Sequence, residues 1–299
     1  MGRHQDAAVV VGVDGSADAR RAIELAAAEA HRRHRSIRVV HAFLWPMLHV
    51  DVDPPPEGPP EAGLRRQADR ILQAALAETR AAVDGVPVEG EVVDGQPAAV
   101  LCRESRDASL VVVGDRGLGG FGSLLVGSIA LQTASYASCP VLVARGAEHP
   151  GGPVVVGVDG SATSQQALAV AAEEAALRGA ELRAVHAFRH PRSNGPGDMM
   201  PLVYDTESLR AEEDRRLAEA VADWQDRYPE VPVIRRVAHA RAAPTLIEES
   251  ARAQLVVVGA RGRGGLAGLV LGSTSQAVLH HAHCPTIIAP VPHGPAGDG

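Results

Sequence analysis

Two glycine-rich segments contain the residues best suited to chemistry. Both have the same spacing: two glycines lie three positions apart, and nine further residues separate the second glycine from a Gly-Ser pair. The segments are Gly114-x-x-Gly117…Gly127-Ser128 and Gly259-x-x-Gly262…Gly272-Ser273. Each segment follows an apolar "LVVVG" run and precedes a helical pattern. Glycine lets backbone N–H groups approach an anion, and the N-terminus of the next helix adds unpaired donors and partial positive charge. The spacing therefore predicts a phosphate-binding loop, twice.

The polar residues of these loops fit that prediction. Ser128 and Ser273 would supply a hydroxyl at the helix N-terminus, and Arg116 and Arg261 a positive charge. The chain contains no lysine, which excludes the lysine of a P-loop as well as Schiff-base and pyridoxal phosphate chemistry. The dinucleotide pattern G-x-G-x-x-G belongs after a first strand, whereas these loops follow a fourth. The alternative is a flexible surface loop, which the identical spacing of two copies disfavours.

A second repeated motif, "VGVDGS", contains Asp14 and Asp159. Both aspartates follow a predicted first strand, where they could contact a ligand. Asp-Gly-Ser also suits a strand–helix turn with a helix cap, so a structural role stays open. His41 and His186 end the second strand of each copy, and we expect them to pack or hydrogen-bond, because no nucleophile accompanies them.

The remaining candidates for chemistry are weaker. His280 and Cys284 in "HHAHC" could share a helical face and bind a metal, but the counterpart "SYASC" has no histidine, so we predict a helix end and no metal site. Cys139 and Cys284 precede proline and are predicted to be small apolar core residues. Cys102, whose counterpart is Ile247, is predicted to lie in the core.

Composition excludes several classes of protein. The formal net charge is −7, with no basic cluster among aromatic residues, which argues against a nucleic-acid or anionic membrane partner. There is no apolar run of membrane-spanning length and no signal-peptide pattern, so a cytoplasmic location is expected. Three cysteines without a CxxC motif argue against a disulfide framework.

The two glycine loops belong to a repeat of the whole chain. "VVVGVDGS" at 9–16 and 154–161, and "LVVVG" at 110–114 and 255–259, recur at a constant offset of 145 residues. This period indicates two tandem domains, predicted as 1–147 and 148–299 and joined by the polar linker 145–153. In the first copy we predict strands near 8–13, 37–43, 86–93, 109–113 and 140–144, and helices near 17–34, 61–83, 97–107 and 128–138.

Alternating strands and helices predict an α/β fold with a parallel sheet covered on both faces. The irregular segments 51–60 and 191–201 could serve as flaps over a site. The last strands, in "PVLVA" and "TIIAP", are apolar sheet edges. Exposed edges of this kind invite pairing with another strand.

These motifs resemble the ATP-binding members of the universal stress protein family, which carry G-x2-G-x9-G-S/T after the fourth strand. The resemblance covers both copies and implies, for each, a Rossmann-like, five-stranded parallel sheet of order 3-2-1-4-5. Strands 1 and 4 then flank the topological switch point, where open α/β sheets bind ligands. In this family strand 5 commonly pairs across a two-fold axis, so the resemblance also implies that the last strands of the two halves pair within the chain as a pseudo-dimer.

The resemblance also implies two ATP sites per chain. Asp14 and Asp159 would contact the nucleoside or an associated Mg²⁺. The adenine wall would comprise Gly12, Val13, Ala42, Gly157, Val158 and Ala187. Ribose and phosphates would be held by Gly114, Arg116, Gly117, Gly127, Ser128, Ile129 and Ala130 in the first copy, and by Gly259, Arg261, Gly262, Gly272, Ser273, Thr274 and Ser275 in the second.

By resemblance, the chain would be a stress-response regulator that acts through nucleotide-dependent conformation or partner binding. The alternative is a slow ATP hydrolase or phosphotransferase that uses Asp14 and Asp159 with Mg²⁺. The loop residue Asp115 is matched by Ala260, so no candidate base repeats beside the phosphates. A nucleotide-free interaction module is a third hypothesis, which the intact glycine motif disfavours. The identity of protein partners and a further homodimer stay open.

Overall fold

The computed structural model describes residues 7–44, 60–117, 126–189, 206–262 and 271–291. Strands and helices alternate through both halves. The first half comprises β1 (Val9–Gly12), α1 (Ala17–Arg33), β2 (Ile37–Phe43), α2 (Pro60–Ala82), β3 (Val88–Asp94), α3 (Pro97–Glu104), β4 (Leu110–Gly114), α4 (Ser128–Tyr136) and β5 (Val141–Ala144). The second half comprises β6 (Val154–Gly157), α5 (Ala162–Arg178), β7 (Leu182–Phe188), α6 (Thr206–Arg227), β8 (Val233–His239), α7 (Ala242–Ser250), β9 (Leu255–Gly259), α8 (Ser273–His281) and β10 (Thr286–Ala289).

All ten strands form one sheet, in the order β3-β2-β1-β4-β5-β10-β9-β6-β7-β8. Within each half the pairs are parallel, and the order reads 3-2-1-4-5, as the resemblance implies. The strands at the centre of each half are continuous β-branched and apolar runs because helices cover both faces of the sheet. The predicted α/β class is confirmed.

The two halves are joined by an antiparallel pair of strands. β10 lies against β5, with Thr286 opposite Val143, Ile287 opposite Leu142 and Ile288 opposite Val141. Two apolar cores, one on each face of the sheet, each contain residues from both halves. The prediction that the last strands pair within the chain is confirmed, and each apolar core is continuous across the two halves.

A buried group of charges joins α1 to α5 near this junction. The fully buried carboxylates of Glu29 and Glu174 each contact both Arg33 and Arg178. Burial opposes ionisation of Glu174, but the two guanidiniums outweigh burial and lower the pKa of its carboxyl. The carboxylates therefore compensate two positive charges that are themselves almost out of solvent.

Three details differ from the sequence predictions or lie outside the described residues. Helix α8 ends at His281, so Cys284 does not share a helical face with His280. The helix cannot continue through Pro285, which has no backbone N–H to donate. Cys139 and Cys284 are buried as predicted, whereas Cys102 is only partly buried. The predicted flap 191–201 and residues 51–59 of the other lie outside the described residues. Among the described helices, none is long and apolar enough to cross a bilayer.

Candidate functional site

The carboxyl ends of β1 and β4 lie side by side and open onto a crevice of about 210 Å³. They are neighbours because the chain leaves β1 toward β2 on one side and returns to β4 on the other. All eleven residues predicted for the first site line this crevice: Gly12, Val13, Asp14, Ala42, Gly114, Arg116, Gly117, Gly127, Ser128, Ile129 and Ala130. The structure thus brings together two motifs that are far apart in the sequence.

The first glycine of each loop is required by the fold itself. A Cβ on Gly114 would lie 2.9 Å from the backbone carbonyl of Asp18, and one on Gly259 would lie 2.7 Å from the backbone oxygen of Thr163. Helices α1 and α5 therefore pass directly over the ends of β4 and β9. At these two positions, close packing accounts for glycine without any ligand.

The second glycine of each loop faces an aspartate. A Cβ on Gly117 would lie 2.6 Å from Oδ2 of Asp14, and one on Gly262 would lie 2.6 Å from Oδ2 of Asp159. The other oxygen of each carboxylate accepts a hydrogen bond from the backbone N–H two residues on, Ser16 or Ser161, at 2.9 Å. The aspartates thus hold the strand–helix turn, as the structural alternative predicts, while Oδ2 points to the glycine loop.

The third glycine of each loop leaves a helix N-terminus without a side-chain cap. Gly127 and Gly272 are the N-cap residues of α4 and α8, and neither helix has a side-chain cap in the described structure. Their own N–H groups bond to Asp115 O at 2.8 Å and Ala260 O at 2.7 Å, which closes the base of each loop. The hydroxyls of Ser16 and Ser161 cap α1 and α5, whereas α3 and α7 also lack a side-chain cap but do not begin with glycine.

Consequently, the first-turn N–H groups of α4 and α8 are not used by a cap residue. In α4 these belong to Ser128, Ile129 and Ala130, and in α8 to Ser273, Thr274 and Ser275. Such donors, with the helix dipole behind them, suit an anion. The Ser275 hydroxyl is not available to it, because it is buried and donates to Gly259 O at 2.5 Å.

One histidine holds the wall of each site in place. His41 Nδ1 lies 2.8 Å from Val13 O, and His186 Nδ1 lies 2.7 Å from Val158 O. The predicted hydrogen-bonding role is therefore confirmed, and it holds the end of β2 or β7 against the turn after the first strand. Ala42 and Ala187 come next along these strands, where a larger side chain would narrow the site.

The sequence predictions missed five apolar residues of the first crevice, two of which, Pro97 and Leu101, come from one helix; the others are Ala19, Val40 and Val113. The helix is α3, and Leu101 lies under Gly12, where an added Cβ would contact it at 3.0 Å. Leu246 occupies the matching place under Gly157. The sequence could have indicated Pro97 and Leu101, because α3 begins after β3 at the same edge of the sheet as the glycine loop.

The arginines of the loops lie at the surface, and Arg116 lines the first crevice. Among the described residues, no group of three or more His, Cys, Asp or Glu side chains could hold a metal ion. The first crevice offers backbone donors, the carboxylates of Asp14 and Asp115 and a surface arginine around an apolar floor, which suits binding of a molecule with an apolar ring and an anionic end.

Comparison with known proteins agrees with this architecture. The model of the universal stress protein family matches residues 7–145 and 152–290. Universal stress protein Rv1996 of Mycobacterium tuberculosis is 37% identical, with 96% of each chain covered. Universal stress protein Rv2005c of the same organism is 39% identical over 94% of this chain and 96% of its own.

A solved structure has the same fold. The crystal structure of a universal stress protein from Archaeoglobus fulgidus superposes with a TM-score of 0.69 at 20% identity, covering 97% of this chain and 98% of the other. The two segments matched by the family model include both glycine loops and all the strands. The chain therefore belongs to the universal stress protein family, with two such domains in tandem.

Proposed function

We propose that the chain is a nucleotide-responsive regulator that binds one ATP in each half. The observation that carries the proposal is the pair of helix N-termini, α4 and α8, that begin with glycine instead of a capping side chain. A helix whose N-cap is glycine is less stable by only about a few tenths of a kcal/mol than one capped by Ser or Asp, and its first-turn N–H groups are left open to an anion. Bound phosphate oxygens would replace the missing cap.

The other residues of the site fit the rest of the nucleotide. Gly12, Val13 and Ala42 form a narrow, apolar wall against which a purine ring would pack, and Gly157, Val158 and Ala187 are their counterparts. Arg116 and Arg261 would reach the phosphates from the loop. The Asp14 and Asp159 carboxylates would contact the ribose, or a Mg²⁺ ion carried by the phosphates.

Regulation is favoured over hydrolysis because the two sites lack a shared base. Hydrolysis requires a group that positions water beside the γ-phosphate. The side chain that follows β4 is the buried Asp115, and the one that follows β9 is Ala260. Binding alone can signal to a partner, without hydrolysis, if the occupied and the empty loops present different surfaces to it.

Calorimetric titration with ATP, in EDTA and again with Mg²⁺, tests the proposal. We expect two molecules of ATP to bind per chain and GTP to bind more weakly. Adenosine should lose most of the affinity because it lacks the phosphates that α4 and α8 would hold. Absence of saturable ATP binding at millimolar concentration would refute the proposal, and phosphate release above the buffer rate would favour the hydrolase.

A further inference from the structure

The base of the first glycine loop is charged where the base of the second is neutral. Four positions at the offset of 145 residues differ in this way: Asp18 and Thr163, Arg21 and Gln166, Asp115 and Ala260, Arg145 and Pro290. In the second half, the Thr163 hydroxyl donates to Arg261 O at 2.5 Å and ties the loop to α5. A carboxylate at position 18 cannot donate in this way.

Asp115 is the most unusual member of this group. It lines the first crevice directly after β4, and it is only 9% exposed. Its Oδ1 atom is buried and has no hydrogen-bond partner in the part of the chain that the structure describes. A buried carboxylate oxygen without a partner is unfavourable, so its presence beside a binding site requires a reason.

The charges around Asp115 come from every element packed against it. Arg145 follows β5, Arg116 belongs to the loop, and Asp18 and Arg21 lie on α1. No ion pair links any of these arginines to Asp115 among the described residues, and Arg145 donates instead to Leu279 O in α8. Burial raises the pKa of the Asp115 carboxyl; the nearby arginines, Arg145 first, only partly offset this.

We propose that the first site takes up a proton on Asp115 when it binds a nucleotide, and that the second site does not. This rests on the proposed function. A phosphate held by the first turn of α4 would bring negative charge next to this carboxylate and repel it. Once protonated, the carboxyl can donate its O–H to a phosphate oxygen, whereas the carboxylate can only accept. Ala260 offers neither repulsion nor a proton.

The consequence is that the two sites respond differently to pH. Since binding and protonation are linked, affinity at the first site rises as pH falls. The change approaches about tenfold per pH unit between the pKa values of the free and occupied protein. ATP itself titrates, but equally for both sites, so the difference between the sites reports on the protein.

Calorimetry in buffers of different ionisation enthalpy measures this proton directly. We expect ATP binding in EDTA to take up more protons at one site than at the other, at pH values between the pKa of the Asp115 carboxyl in the free protein and its pKa in the occupied protein. Asp115→Asn, which has nearly the same shape and can still donate, should remove the excess and weaken the pH dependence of that site. The exposed Asp107→Asn variant is the matched control and should keep both.

The outcomes separate this proposal from the proposed function. Two ATP sites with equal proton uptake in the unmodified protein would overturn the proton-linked site and leave the proposed function standing. Excess uptake that persists in folded Asp115→Asn protein would likewise overturn only the proton-linked site. Failure of ATP to bind at any pH would instead overturn the proposed function.

Discussion

Replacing Gly117 by alanine tests how the loop and the aspartate act together. The new Cβ would lie 2.6 Å from Asp14 Oδ2, whereas atoms in ordinary contact are about 3.5 Å apart. The carboxylate must therefore move by roughly 1 Å. That movement strains the hydrogen bond that Asp14 Oδ1 accepts from the N–H of Ser16 at 2.9 Å.

The structure sets the size of the effect. A hydrogen bond to a charged group is worth about 1.5–3 kcal/mol, and the lower end applies to a partly exposed carboxylate. We expect Gly117→Ala to weaken ATP binding at the first site by about 1–2 kcal/mol, which is roughly 5- to 30-fold in Kd. The second site should be unaffected, and Gly262→Ala should reverse the pattern, because its Cβ would meet Asp159 at the same distance.

Calorimetric titration of both variants provides the assay. The control is Gly63→Ala in α2, where an added Cβ meets no atom within 4 Å. The control should bind as the unmodified protein does. If Gly117→Ala and Gly262→Ala remain folded and keep full affinity at both sites, the loop–aspartate contact has no part in binding and the reasoning is wrong.

Three further predictions concern stability and reactivity. Glu174→Gln should lower the free energy of unfolding, measured by urea denaturation, by about 3–5 kcal/mol, because it leaves two buried guanidiniums to share the one fully buried carboxylate of Glu29; a change below about 1 kcal/mol would contradict the buried network. Ile287→Ala should cost about 2–5 kcal/mol, yet leave one calorimetric unfolding transition, since the halves share their cores; two separate transitions would contradict this. Burial raises the pKa of Cys139 and of Cys284 to about 12 and also raises the pKa of Cys102, but only Cys102 is partly exposed. The native chain should therefore expose one thiol, Cys102, to Ellman's reagent at about pH 8 and all three after denaturation; rapid reaction of all three would be inconsistent with the buried positions.

Most of the fold can be predicted because the sequence pattern of the same fold occurs twice in the chain. The first helix, predicted near 17–34, spans Ala17–Arg33, and the fourth strand, predicted near 109–113, spans Leu110–Gly114. Local signals fix these ends, such as Ser16, whose hydroxyl caps α1. Apolar last strands, together with the family resemblance, predict the pairing of β5 with β10.

The details that the sequence does not reveal are contacts between distant segments. Nothing in the sequence near Gly114 indicates that α1 packs against it. From the spacing alone, this glycine is therefore interpreted as part of a phosphate loop, although close packing already requires it. The charged contacts of Glu29 with Arg178 depend on how α1 meets α5, which has no local signal. The end of α8 at His281 escapes prediction because the helical spacing of "HHAHC" continues beyond it.

A crystal structure of the protein grown with ATP would test the central claim most directly. We expect electron density for two nucleotides per chain, with phosphate oxygens accepting from the first-turn N–H groups of α4 and α8, at Ser128–Ala130 and Ser273–Ser275. Density that fills the first crevice and the corresponding place in the second half with the chain's own side chains, or that places the phosphates away from these helices, would contradict the account.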